Sequence, residues 1–261
     1  MRELEKIAVL IDSDNTQLSK LELVMQEIST HGRIVVKRAY GNWRKDTLKN
    51  WENEIKRLAI KAEQQFDYVT GKNATDMALV IDAIELLNSS IYDGFVLVSS
   101  DSDYTPLSIK LHESGVYVIG VGEKKTPESF RNSCDEFIFL ENLGDKEDEV
   151  EEDTTQSTQT AKKTRSINKK SKNSNSEKDP NDIGIIHNLL RKAFEAYQDD
   201  EDGYVNVSSA GSYIKRAKPD FDLRTYGYTK LPQLINAFPD KYETKTYQGK
   251  GTVTIFAYRC K

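Results

Sequence analysis

Along residues 1–143, short apolar runs alternate with stretches in which apolar side chains recur every three or four positions. The runs 7–11, 34–39, 66–70, 95–99, 116–121 and 137–140 are rich in Val, Ile and Phe. Most are apolar on both faces, which predicts central strands of a parallel sheet. Between them, Leu18, Leu21, Met25 and Ile28 form a helical stripe stopped by Gly32. A second stripe is Leu48, Trp51, Ile55, Leu58 and Ala62, and a third is Met77, Ile81, Ile84 and Leu87. Pro106 opens a fourth helix that continues through Leu107 and Leu111 to Gly115. Strands alternating with helices predict an α/β fold, a mostly parallel sheet covered by helices on both faces.

The pattern changes twice. From 145 to 180 the only apolar residues are Val150, Ala161 and Ile167, and none is aromatic. Such a segment cannot offset its ordering entropy by burial, so 144–180 is expected to be a disordered charged linker. Beyond it, Ile183, Ile186, Leu189, Leu190, Phe194 and Tyr197 make an amphipathic helix. A short extended piece follows at 203–207, then a second helix capped by Ser208 or Ser209, and a third carrying Leu231, Leu234, Ile235 and Phe238. Two alternating runs, 242–247 and 252–259, flank Gln248-Gly249-Lys250-Gly251 and predict a hairpin. Residues 181–261 thus read as a small α+β winged-helix module.

Charge follows the same partition. The chain has 261 residues and a net charge of −5, distributed as −6 over 1–143, −1 over 144–180 and +2 over 181–261. No apolar run approaches the roughly 20 residues of a membrane span, and the acidic start lacks a secretory layout. The expected location is the cytoplasm. Two isolated cysteines and three scattered histidines exclude a disulfide framework and a thiolate or imidazole metal site. Any metal must be held by oxygen.

Carboxylates supply that oxygen. In an open parallel sheet, ligands bind beyond the carboxyl ends of the strands. Asp12 follows the first apolar run, Asp101 and Asp103 follow the fourth, and Asp76 falls in the first turn of the third helix. If the first and fourth strands are neighbours, these acids face one crevice, with Asn15 beside them. Crowded carboxylates call for a divalent cation, Mg²⁺ or Mn²⁺, which suits phosphodiester hydrolysis. Each acid taken singly also suits a turn or a helix cap. Asp82 lies about 120° around the helix from Asp76 and reads as an ion-pair partner. Lys72 is a candidate phosphate contact, and Arg38, Trp43, Arg44 and Lys45 form a basic segment that can guide a nucleic-acid backbone toward the acids.

The motifs Leu10-Ile11-Asp12-Ser13-Asp14-Asn15, Arg38-Ala39-Tyr40-Gly41-Asn42-Trp43, Lys72-Asn73-Ala74-Thr75-Asp76 with Asp82, and Val98-Ser99-Ser100-Asp101-Ser102-Asp103-Tyr104 together resemble the NYN domain, a PIN-like nuclease branch, and in particular its limkain-type members. The resemblance implies a divalent-metal-dependent ribonuclease, endonucleolytic in mode, with Asp12, Asp76, Asp101 and Asp103 as catalytic and metal residues and Asn15 beside them. Many members carry Gly where this chain has Ser13 and Ser102. Pro219-Asp220-Phe221-Asp222, Tyr226-Gly227-Tyr228-Thr229-Lys230-Leu231 and the closing hairpin resemble the LOTUS, or OST-HTH, domain. That implies RNA as partner, single-stranded or structured and including G-rich RNA. Lys215, Arg216, Lys218, Arg224 and Lys230 are the candidate phosphate contacts, and Tyr226 is a candidate stacking residue. Membranes are excluded as partners, and self-association is left open. The alternative is a catalytically inactive RNA- or protein-binding adaptor.

Overall fold

The computed structural model describes residues 4–69, 73–144, 180–198, 203–248 and 254–261. Its N-terminal part is a six-stranded, wholly parallel sheet of order β3-β2-β1-β4-β5-β6. The strands are β1 (Leu4–Asp12), β2 (Gly32–Gly41), β3 (Lys61–Gln64), β4 (Gly94–Val98), β5 (Tyr117–Gly122) and β6 (Glu136–Phe139). The covering helices are α1 (Leu21–Ser29), α2 (Trp51–Arg57), α3 (Ala74–Asn88), α4 (Thr105–Glu113) and α5 (Glu128–Ser133). Strand β1 shows why the sheet is central. Ile7, Val9 and Ile11 enter the core beneath α1 and α2, whereas Ala8 and Leu10 enter the core beneath α3, α4 and α5. Alternate side chains point to opposite faces, so a strand covered on both sides is apolar throughout.

Three details depart from the sequence pattern. The third strand is not 66–70 but the polar Lys61–Gln64, paired with β2 at Arg38↔Lys61 and Tyr40↔Glu63. It is an edge strand, buried on neither face, so no apolar run announces it. Ala62, expected in the second helix, belongs to this strand, because the helix stops at Leu58 and Ala59 takes a positive φ. Helix α3 is rotated from its expected face: Thr75, Leu79, Ala83 and Leu86 are buried, while Met77 and Ile81 are each 55% exposed.

The C-terminal part contains α6 (Pro180–Tyr197), β7 (Val205–Asn206), α7 (Val207–Ala217), α8 (Leu231–Asn236), β8 (Tyr242–Gln248) and β9 (Thr254–Cys260). The strands form an antiparallel sheet of order β7-β9-β8, and its inner face joins the helices around Ile186, Leu190, Ile214, Leu234 and Tyr258. The cap of α7 is Asn206, whose side chain accepts from Ser208 N at 2.8 Å, in place of the expected Ser208 or Ser209. Asparagine is as good a cap as serine and lies directly before the helix. Of the linker expected over 144–180, residues 145–179 lie outside the described residues, and Pro180 already opens α6.

The two parts touch along the β6 edge. Phe137 N donates to Pro219 O at 2.9 Å, and Lys215 Nζ lies 2.6 Å from Glu136 Oε1. Arg131 pairs with Asp220. Asn142 donates to Asp222 and Thr225, both at 2.9 Å, and Arg224 reaches Glu27 at 3.2 Å. The backbone bond covers an edge donor that a parallel sheet leaves open.

Candidate active site

Strands β1 and β4 are parallel neighbours, and the chain departs from β1 to one side of the sheet order and from β4 to the other. This reversal opens a crevice beyond their carboxyl ends. Asp12, the last residue of β1, is fully buried there. Its Oδ2 accepts from Asn15 Nδ2 at 2.8 Å and from Ser99 Oγ at 2.9 Å, and its Oδ1 accepts from Asp14 N at 3.1 Å. Burial pushes the Asp12 carboxyl above its ordinary range. The Asn15, Ser99 and Asp14 donors oppose that rise, and the charge of Asp76 adds to it.

Asp101 follows β4. Its amide donates to Ser99 Oγ at 3.0 Å, and its Oδ1 caps the next turn by accepting from Asp103 N at 2.9 Å. Asp76 enters from the first turn of α3, where Tyr104 OH donates to its Oδ1 at 2.9 Å. Burial raises Asp76 as well; Tyr104 lowers it, and Asp101, Asp14 and Asp103 raise it by repulsion. The charges of Asp12, Asp76 and Asp101, after burial, also hold the Tyr104 phenol far above its ordinary value. Asp103 accepts from Asn73 Nδ2 at 3.0 Å. A cleft of about 530 Å³ lies alongside, lined by Asp76, Asp103 and Asn73 on its polar side and by Met77, Val80 and Pro106 on its apolar side.

All four acids and Asn15 therefore belong to one edge of the sheet. Ser99, Tyr104 and Asn73, which orient three of the acids, are absent from the sequence-derived list. Ser99 was legible as the last residue of an apolar run, but the hydrogen bond to Asp12 that gives it a role crosses from β4 to β1.

The fit to a divalent cation rests on the donors. Among the described residues, no three of the His, Cys, Asp and Glu side chains stand together as a complete metal-holding group. Hydrogen bonds from Asn15, Ser99, Asp14, Tyr104 and Asn73 engage the carboxylate oxygens. The acids nevertheless repel one another, and Ser13 Oγ next to Asp12 is buried without a partner among the described residues. Mg²⁺ binds through one or two carboxylates and retains several waters, so a set of this kind suits it without a closed protein cage.

The basic candidates fall into several groups. Lys45 Nζ lies 3.1 Å from Asp14 Oδ2 and 3.7 Å from Asp67 Oδ2, at the rim of the crevice. Arg44 is exposed beside it. Arg38 is drawn into a pair with Asp82, which also accepts from Tyr40, so Asp82 serves as the expected ion-pair partner. Trp43 packs against the buried Trp51, ring centroids 6.1 Å apart. Lys72 lies outside the described residues. In the C-terminal part, Lys215 and Arg224 pair with Glu136 and Glu27 of the N-terminal part, and Lys218 lies 3.7 Å from Asp220. Tyr226 is buried against Phe221. Lys230 is exposed, and Arg216 donates to Tyr197 OH at 2.8 Å.

Comparison with known proteins agrees with this architecture. The NYN domain model matches residues 6–141, and the chain belongs to the NYN-domain family. The OST-HTH/LOTUS domain model matches 183–254. The NYN domain is part of the nuclease superfamily, and the OST-HTH/LOTUS domain is an RNA-binding module. A search of curated proteins finds no match. Among solved structures, a protein of unknown function from Vibrio parahaemolyticus is 19% identical with a TM-score of 0.44, over 53% of this chain and 94% of its own. An uncharacterized protein from Nitrosomonas europaea is 25% identical with a TM-score of 0.27, over 41% of this chain and 92% of its own. No helix among the described residues is long and apolar enough to cross a membrane.

Proposed function

We propose that the protein is a divalent-metal-dependent endoribonuclease of the cytoplasm whose C-terminal module contributes RNA binding. The observation that carries the reading is the buried Asp12 at the β1–β4 junction, electrostatically coupled to Asp76, which in turn feels Asp101 and Asp103. Asp12, Asp76, Asp101 and Asp103 would hold Mg²⁺ or Mn²⁺, directly or through the waters that the ion retains. Such an ion lowers the pKa of bound water and neutralises charge on phosphoryl oxygens. Asn15 and Ser99 keep the Asp12 carboxylate oriented, and Tyr104 does the same for Asp76. Lys45 and Arg44 at the rim, with Lys72, would guide the RNA backbone. Hydrolysis adds water to phosphorus as the bond to the leaving ribose oxygen breaks; a carboxylate of the crevice takes the proton that the water gives up, and the leaving oxygen gains a proton from solvent.

The test is cleavage of labelled single-stranded, duplex and G-rich RNA, and of DNA, with Mg²⁺ or Mn²⁺, by the wild type and by Asp12→Asn and Asp101→Asn in parallel. Equal cleavage after both substitutions would remove the crevice as the catalytic site. The engagement of the carboxylate oxygens by protein donors favours a second reading, an adaptor that binds RNA or protein without cutting. Salt-sensitive RNA binding together with no Mn²⁺ binding at the crevice would establish it over the first.

A further inference from the structure

We infer that the loop between β3 and α3 carries a stacking site for unpaired nucleobases, built on Phe66 and Tyr68 and flanked by Arg44. It rests on the reading of the neighbouring crevice as an RNA site. The residues that read as a buried strand in the sequence are held outside the sheet: Phe66 is 53% exposed, Tyr68 86% and Val69 60%. A single exposed apolar residue needs no explanation, but three within four positions form a patch that normally marks a binding surface.

The patch is anchored at the crevice. Gln65 N donates to Gly41 O at 3.0 Å, which continues the strand pairing up to the loop. Asp67, between the two aromatic residues, accepts from Asn42 Nδ2 at 3.1 Å. Lys45 then bridges Asp67 to Asp14, two residues past Asp12. Loop and acid crevice thus share one lysine.

The occupant follows from the chemistry. The Arg44 guanidinium lies over the Phe66 ring, 5.6 Å from its centroid, so a cation and an aromatic face are presented together. A cationic track with aromatic platforms is how proteins hold a single strand: the cation meets the backbone and the bases stack on the rings. Asp67 places a carboxylate between the two aromatic residues, so charge breaks the apolar run, which favours bases stacking on single rings over an apolar protein segment. Bases paired within a duplex have no free faces to stack, so the site selects unpaired RNA.

Photocrosslinking tests this in the full chain with Asp101→Asn, using a short single-stranded RNA containing 4-thiouridine in Mg²⁺, with adducts mapped by peptide mass spectrometry. Adducts are expected on Phe66 or Tyr68. Because stacking is worth about 1–3 kcal/mol per base and each 1.4 kcal/mol is tenfold in affinity, Phe66→Ala/Tyr68→Ala should lower adduct yield in the crevice peptides about tenfold or more at subsaturating protein. Phe66→Tyr/Tyr68→Phe should restore it, and a duplex of the same sequence should label the loop weakly. Adducts confined to other peptides, or a crevice yield unchanged by the alanine pair, would overturn the inference; so would preferential labelling by the duplex. Cleavage by the native chain is scored separately. Loop adducts without cleavage retain the stacking site and reject the hydrolytic reading, whereas cleavage without loop adducts does the reverse.

Discussion

Glu136 joins the two parts of the molecule, and its replacement by Gln gives a quantitative test of their docking. Burial by itself pushes the carboxyl up. The hydrogen bond from His31 and the Lys215 ammonium more than reverse this, bringing it to about 2, below the ordinary 4.5. That displacement corresponds to on the order of 3 kcal/mol of preference for the ionised form in the folded state. Lys215 keeps 33% of its side chain exposed, which screens its part, so a loss of about 2 kcal/mol is expected for Glu136→Gln near pH 6. A carboxyl depressed on folding contributes stability that is present above about 4.5 and is lost as pH falls toward 2. His31 is raised above 6.5, first by its hydrogen bond to Glu136 and against burial, so its share is present below 6.5 and fades as pH rises through the raised value. The difference between wild type and variant should therefore be largest between about 4.5 and 6.5 and should vanish toward pH 2. Urea unfolding read by the fluorescence of Trp43 and Trp51 measures it. A difference that stays constant down to about pH 2.5, or one below about 0.5 kcal/mol at pH 6, would refute an ionised, paired Glu136.

Three further outcomes are expected. Mn²⁺ at a hundred times its dissociation constant should stabilise the wild type by about 2.7 kcal/mol, a chelator should reverse the effect, and Asp12→Asn should lose most of it in a thermal-shift assay. Gly120→Ala should cost about 1–3 kcal/mol in urea unfolding through overpacking, since an added Cβ would meet the Phe137 ring at 2.5 Å and Cys134 Sγ at 2.9 Å. Tyr104→Phe removes the donor to Asp76. Its loss should raise the Asp76 carboxyl further, seen as an upward shift in that residue's titration by carbon-detected NMR in metal-free protein.

Much of this protein was legible from residue order alone. Apolar runs located five of the six strands, because strands covered on both faces must be apolar throughout. Acids at or just beyond the ends of the runs at β1 and β4 marked the crevice, since residues at strand ends leave the core at the sheet edge. Local pattern misled where burial was partial or absent. The polar edge strand Lys61–Gln64 is held by pairing with β2, which sequence periodicity does not register, so the run 66–70 stood in for it. Helix α3 turned Leu79, Ala83 and Leu86 toward the sheet and left Met77 and Ile81 exposed, a rotation that the periodicity of apolar residues did not specify. The fates of Lys215 and Arg224 were decided by tertiary contact alone: equally basic in sequence, they are committed to Glu136 and Glu27, whereas Arg44 remains exposed at the crevice rim. Sequence determined which residues are apolar, acidic or basic and how they are spaced; only the tertiary structure decided which charges meet, because ion pairs and edge pairing join residues remote in the chain.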